Sequence, residues 1–325
     1  MTDDPIRPGP RDDVEPDVYR EVFAPHPDAP KETRQPLRPM PLADFLALVI
    51  PPRRLLLAPV LPMQAITMLY GPRGCGKTHV AVGIGLAVAT GTGFLRWQAS
   101  EPKRVLYIDG EMPAGALQER LEAAKRKVLN PSFAEQNFEI LAADIYRDGL
   151  PDLSSVDGRE AFAPVLEGFD LVIVDNISTL CRTGKENEAE SWGELQGWAL
   201  AQRRAGRSVL FLHHAGKTGD QRGTSRREDV MDTVMKMSRP QDYKAQEGAR
   251  FIIEYTKARG FAGDEAEPFE AWLKDGHWTV RDATCARDEA IRALSAEGCS
   301  QREIASELGC GLATVNRALK RMGKE

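Results

Sequence analysis

One stretch of eight residues, GPRGCGKT at positions 71–78, limits what this chain can fold into more than any other. It fits the spacing G-x-x-x-x-G-K-[ST]. It also stands where that spacing has a mechanism, after the apolar run at 65–70 and before a run of helical period starting at Lys77. Glycines let a backbone wrap an anion, and the loop amides and the helix N-terminus supply partial positive charge. Gly71, Pro72, Arg73, Gly74, Cys75, Gly76, Lys77, Thr78 and the adjoining His79 are therefore the expected cradle for the phosphates of ATP. Lys77 is expected to reach the β- and γ-phosphates, and the Thr78 hydroxyl to bind Mg²⁺.

The rest of the chain alternates in the way such a loop requires. Strand-like runs AITMLY, RVLYIDGE, FEIL, FDLVIVDN and SVLFLHH are separated by helical runs such as AGALQERLEAAKRKVL and SWGELQGWALAQRRAG. That alternation predicts an α/β fold, a doubly wound parallel sheet with helices on both faces. Shorter strands and hairpins after residue 228 complete it.

Three strand ends then become candidate chemistry. LVIVD delivers Asp175 to the C-terminal end of a buried strand, where ligands bind in open α/β sheets, so Asp175 is the expected partner of Thr78 in holding the metal. Hydrolysis needs a base for the attacking water. Asn176 follows Asp175, so no glutamate stands directly after the metal carboxylate, and the base is expected at Glu111, after RVLYID; Asp109 is the weaker alternative. In FLHH, neighbouring side chains point to opposite faces. His214 is expected to face the γ-phosphate and His213 the interior, so the pair is not expected to share a metal.

Composition closes off other classes. The 325 residues carry a net charge of −5, so nucleic acid must be met by local patches and not by a global basic field. The five cysteines show no paired or zinc-type spacing, which argues for reduced thiols in the cytoplasm, and no apolar run is long enough for a membrane span. Residues 1–40 are rich in Pro and charge and read as a disordered arm; 41–282 read as the α/β domain and 283–325 as a helical one. A short helix near 41–49 and a proline-broken linker are expected to form a strap packed on the α/β domain.

The C-terminal segment SQREIASELGCGLATVNRALKRMGK opens with a capping box, Ser300 to Glu303, and places Gly309 at a tight turn. It resembles the helix-turn-helix of resolvases and bacterial regulators. That resemblance implies a recognition helix in which Thr314, Asn316 and Arg317 reach bases and Lys320 and Arg321 meet phosphates of duplex DNA.

The order of the loop, Glu111, Asp175, His213-His214, RGTS and the final KAR resembles the RecA-like hexameric P-loop ATPases. Within them it is most similar to the plasmid RepA-type replicative helicases and related AAA-type ATPases. The resemblance implies a RecA-like core, ATP and Mg²⁺ bound between subunits, a homo-oligomer, commonly a hexamer, and single-stranded DNA in a central channel. It gives Glu111 the role of base and His214 that of γ-phosphate sensor. Lys257 and Arg259 fall on the K-x-R pair that reaches a neighbour's ATP, with Arg226 or Arg227 as the alternative finger because Asp232 stands near the position of an arginine in some relatives. Channel contacts fall on Arg222, Arg226 and Arg227 in the loop after His214, with Arg182, Lys185 and Lys217 as further basic positions. The implied function is a DNA motor, a plasmid or phage replicative helicase; an ATP-gated DNA-binding regulator and a recombination or partition ATPase are the alternatives.

Overall fold

A computed structural model of the protein describes residues 38–182, 188–215, 228–240, 242–308, 311–312, 315–316 and 318–319. The chain enters through helix α1 (Leu42–Ala47) and a hairpin of Leu55–Leu57 with Leu61–Pro62, then passes into β1 (Ile66–Gly71) and α2 (Lys77–Thr90). Next come β2 (Val105–Asp109), α3 (Ala114–Lys125), α4 (Pro131–Asn137), β3 (Phe138–Ala142), α5 (Val156–Phe162) and β4 (Leu171–Asp175). After α6 (Ile177–Leu180), α7 (Glu188–Arg204) and β5 (Ser208–His214), four strands follow: β6 (Thr233–Ser238), β7 (Arg250–Ala258), β8 (Phe269–Lys274) and β9 (His277–Asp282). Helices α8 (Ala283–Ala296) and α9 (Gln301–Glu307) come last.

The nine strands form one sheet in the order β9-β8-β7-β6-β1-β5-β4-β2-β3. From β6 to β3 all pairings are parallel, and β7, β8 and β9 add antiparallel strands at one side. β1, β2 and β4 are buried at every position, which is why they read as unbroken apolar runs and not as alternating ones. Their side chains still alternate. Leu106 and Ile108 join a core with Trp192, Leu195 and Trp198 of α7, whereas Val105 and Tyr107 join the core of α2 and α3 on the other face.

Two expectations are corrected. The strap does not pack through its helix: no residue of α1 is buried. The chain is anchored instead by Leu56 and Leu57 in the hairpin and by Arg53, which donates to Met63 O (2.7 Å), Gln64 O (2.6 Å) and Asp232 Oδ1 (2.8 Å). The charged helix ends at Lys125 and a second short helix, α4, begins with Pro131 at its first turn, a position proline favours. Helix α5 was not anticipated, although Ser155 caps it by accepting from Gly158 N at 3.0 Å.

The capping box at Ser300 and Glu303 is present, and Ile304 of α9 meets Ile291, Val315 and Ala318 in a small separate core. Asn316 is half-buried, while Thr314, Arg317, Lys320 and Arg321 lie outside the described residues, as do Lys185, Lys217, Arg222, Arg226 and Arg227. Among the described residues no helix is long and apolar enough to cross a membrane, and Cys75, Cys181 and Cys299 are free thiols.

Candidate active site

The loop between β1 and α2 is shaped by glycines with no substitute. Gly74 and Gly76 take φ of 70° and 105°, a left-handed conformation that side chains disfavour. Gly71 packs so closely against β6 that an added Cβ would lie 2.6 Å from Met237 O. Lys77 folds back over the loop and donates to Gly71 O (3.0 Å) and Pro72 O (2.8 Å). Burial lowers its pKa, so its charge is held where an anionic ligand would stabilise it most. Arg73 is exposed, and its charge acts on both Lys77 and His214. His79 points away toward Arg120 of α3; burial, then Arg120, lowers its pKa to about 4, so it is neutral.

The parallel register brings the other candidates to the same strand ends. Thr78 Oγ1 donates to Asp175 Oδ2 at 2.8 Å. Glu111, Asn176 and His214 form a second cluster beside it. The Asn176 amide donates to Glu111 Oε2 and lies 3.3 Å from His214 Nε2, which is 3.4 Å from Glu111 Oε2. Burial, aided by Lys77, lowers the His214 pKa, so the ring is a neutral donor or acceptor at pH 7. His213 is buried in the sheet. Residue types and placement suit carboxylate-assisted attack of water on a phosphate bound by the loop.

Four residues shape this site in ways that sequence reasoning did not anticipate, Asp109 among them, which it had weighed only as the weaker alternative base. Tyr107, fully buried in β2, donates its hydroxyl to Asp175 Oδ2 at 2.7 Å. Asn176 had registered only as not being a glutamate. Asp109 holds the turn that carries Glu111, its Oδ1 accepting from Glu111 N (3.2 Å) and Met112 N (2.8 Å). Arg239, just past β6, donates to Gly74 O at 2.9 Å and lies over the Tyr243 ring at 3.8 Å. Only the Asp-x-Glu spacing at 109–111 carried a readable signal, that of a side chain capping its own turn.

Lys257 and Arg259 are elsewhere. β7 runs antiparallel to β6, so its end lies beside the start of β1 and not beside the loop. Arg259 N donates to Asp232 O, and Asp232 N donates to Ile66 O. That level is five residues, about 17 Å at the usual rise per residue, from Gly71. The two cations do share a face, as their spacing predicts, but within the chain they meet carbonyls: Lys257 donates to Glu228 O and Asp229 O, and Arg259 Nη2 to Asp229 O at 3.0 Å. Asp232 has a structural task, with Oδ2 accepting from Ile66 N (3.0 Å) and Oδ1 from Arg53.

Residues 31–220, more than half of the chain, match the family described as "AAA domain". The chain belongs to that family. The KaiC-like protein PH0186 from the hyperthermophilic archaeon Pyrococcus horikoshii OT3 is similar in structure, with a TM-score of 0.50 at 12% identity, over 68% of this AAA domain protein and 90% of that chain. The RadB recombinase overlays with a TM-score of 0.45 at 18% identity, over 66% of this chain and 90% of that one. The likeness to the KaiC-like protein shows the fold alone, a mainly parallel RecA-like α/β sheet flanked by helices. Mg²⁺ fits the site: the half-buried Thr78 hydroxyl and the buried Asp175 carboxylate offer hard oxygens beside a phosphate-type loop, the partial ligand set this ion takes when phosphates and waters supply the rest.

Proposed function

We propose that the protein is a Mg-ATP-dependent DNA motor, a ring-forming plasmid or phage replicative helicase, that hydrolyses ATP where two copies meet. One observation carries this reading. Glu111, Asn176 and His214 gather at one end of the strands, and Arg259 lies at the other, level with Ile66. A single chain therefore cannot bring its own Arg259 to its own phosphate site, whereas a head-to-tail copy can. Residues 41–282 are the motor on this reading, and residues 283–325 a helix-turn-helix that binds duplex DNA, preceded by an arm of residues 1–40.

Each residue then has a task. The loop amides and Lys77 hold the phosphates, and Thr78 and Asp175 hold the Mg²⁺, which neutralises phosphate charge when bound. Glu111 takes the proton of the attacking water, while Asn176 and His214 fix its carboxylate and sense the γ-phosphate. Arg259, with Lys257, stabilises transition-state charge in the neighbouring copy, with Arg226 or Arg227 as the alternative. Arg222, Arg226 and Arg227 contact the single strand in the channel, and Thr314, Asn316, Arg317, Lys320 and Arg321 contact the duplex.

The test is ATP turnover with and without single-stranded DNA for the wild type, Glu111→Gln, Arg259→Ala and an equal mixture of the two variants. The expected result is stimulation by single strands, a roughly 10³-fold or greater loss in each variant, and recovery in the mixture. Full turnover by Arg259→Ala, or no response to DNA, would remove the motor reading. A second reading, an ATP-gated DNA-binding regulator, is favoured by the separate small core under α8 and α9. It requires sequence-specific duplex binding that depends on 284–325 and survives Glu111→Gln.

A further inference from the structure

A cavity of about 700 Å³ lies between α2, α3 and the turn that joins β8 to β9, and the candidate active site makes no use of it. One face of α2 forms its floor. His79, Val82, Gly83, Leu86 and Ala87 recur at helical spacing, and Val82, Leu86 and Ala87 are buried. That face begins at the residue after Thr78, so an occupant would touch the helix that carries Lys77 and Thr78. The walls are apolar and fixed by packing. The Phe94 ring is seated on α2, where a Cβ added at Gly83 would lie 2.2 Å from it. It meets the Trp278 ring edge-on, with centroids 5.6 Å apart.

The rim is basic. Among the described residues Glu119 is the only acid in the lining, against Arg120, Arg126 and Lys127. Arg126 pairs with Glu122 at 3.4 Å. Lys127 pairs with no carboxylate among the described residues, and its Nζ lies 3.4 Å from His277 Nε2. Two nitrogen-bearing side chains thus converge at one end of an apolar cavity. A bare inorganic anion would leave the apolar walls wet, and an uncharged ligand would leave Lys127 without a counter-charge.

We propose that this cavity binds a small organic anion with an apolar body, the body against α2, Phe94 and Trp278 and the anionic group at Lys127 and His277. The apolar walls supply most of the affinity, and the charge-assisted contact fixes which way the ligand lies. The occupant is a small molecule because the cavity has the size of such sites, about 300–1,000 Å³, and their make-up, apolar walls with a few convergent polar groups. The site is distinct from the phosphate loop and holds whether or not the protein is a motor.

The test is fluorescence titration of the full-length protein with two dyes of like body, the anionic anilinonaphthalene sulfonate and the uncharged phenylnaphthylamine. A non-hydrolysable ATP analogue with Mg²⁺ is kept at saturation, so that the phosphate loop is not the site being read. The variants are Lys127→Glu, Lys127→Arg and Ala123→Trp. Lys127 and Ala123 are exposed, and Ala123 lines the cavity, so a tryptophan there fills it without entering the core. The sulfonate is expected to bind about tenfold tighter than the uncharged dye. Lys127→Glu should remove that preference and leave the uncharged dye bound, Lys127→Arg should keep it, and Ala123→Trp should remove both dyes. Decanoate or naphthoate should displace the sulfonate, and which of them does so tells an alkyl body from an aryl one. Equal binding of the two dyes, binding untouched by Ala123→Trp, or displacement by neither acid would overturn the proposal. Loss of bound dye as protein concentration rises would give the cavity to a second copy and overturn it as well.

Discussion

Thr78 Oγ1 donates to Asp175 Oδ2 across 2.8 Å, joining residues 97 positions apart in the chain. Tyr107 donates to the same oxygen at 2.7 Å. One carboxylate oxygen thus takes two hydroxyl donors in a site whose burial, the largest influence, raises the Asp175 pKa. The tyrosine is fully buried, and its hydrogen bond favours the ionised carboxylate, so Tyr107 is expected to keep Asp175 oriented when a ligand recruits Thr78.

Tyr107→Phe is therefore expected to fold and to need more Mg²⁺. Losing a hydrogen bond to a charged group costs roughly 1.5–3 kcal/mol, equivalent to about a tenfold or greater rise in the Mg²⁺ concentration that half-saturates binding of a fluorescent ATP analogue. Binding measured without Mg²⁺ should change little. An unchanged Mg²⁺ midpoint would show that the phenol only fills space.

Asn176→Ala removes the group between Glu111 and His214. Turnover is expected to fall by about one to two orders of magnitude, a fraction of what general-base catalysis as a whole supplies. Nucleotide affinity should hold, since no bond of Asn176 touches the phosphate loop. A loss seen only in affinity would contradict this assignment.

Asp109 predicts a pH effect in the protein free of nucleotide and metal. Burial, its largest influence, raises its pKa from 3.8 to about 6, and Oδ2 has no partner among the described residues. A carboxyl with a raised folded pKa binds more protons folded than unfolded between those values. Its contribution to stability is therefore largest below about pH 4, falls as pH rises to about 6, and is flat beyond. Asp109→Asn keeps an acceptor for the two turn amides and removes the buried charge. It is expected to raise stability at pH 7.5 by up to about 3 kcal/mol, from about two pH units at 1.36 kcal/mol each. Urea melts at pH 5 and 7.5 check the slope as well as the size.

Asp232 behaves in the opposite sense. Burial would raise its pKa, but the hydrogen bonds from Arg53 and the Ile66 amide overrule it and the net direction is down. Its stabilisation is present above the unfolded value near 3.8 and is lost as pH falls below it. Asp232→Ala strips partners from Arg53 and from the amide that starts β1, and about 3 kcal/mol of stability should go with them. A urea midpoint unchanged at pH 7 would contradict this.

The phosphate loop, the α/β alternation, the buried strands and the ends at Glu111, Asp175 and His214 were legible because each is local. A run of apolar residues of fixed length delivers the next polar residue to a strand end, whatever lies beside it. Capping at Ser300 was legible for the same reason, since Glu303 is within one turn. What the sequence could not state is which strand ends meet. Tyr107 looks like any other core aromatic until the parallel register of β2 and β4 sets its hydroxyl against Asp175. Lys257 and Arg259 look ready for a phosphate, and their spacing does put them on one face. Only the antiparallel turn of β7 decides that this face lies at the wrong end of the sheet for the chain's own loop. The sequence determined the chemistry each segment can offer, because side-chain type and period are written residue by residue. The tertiary structure decided which offers are combined, because strand order and direction are set by packing between segments far apart in the chain.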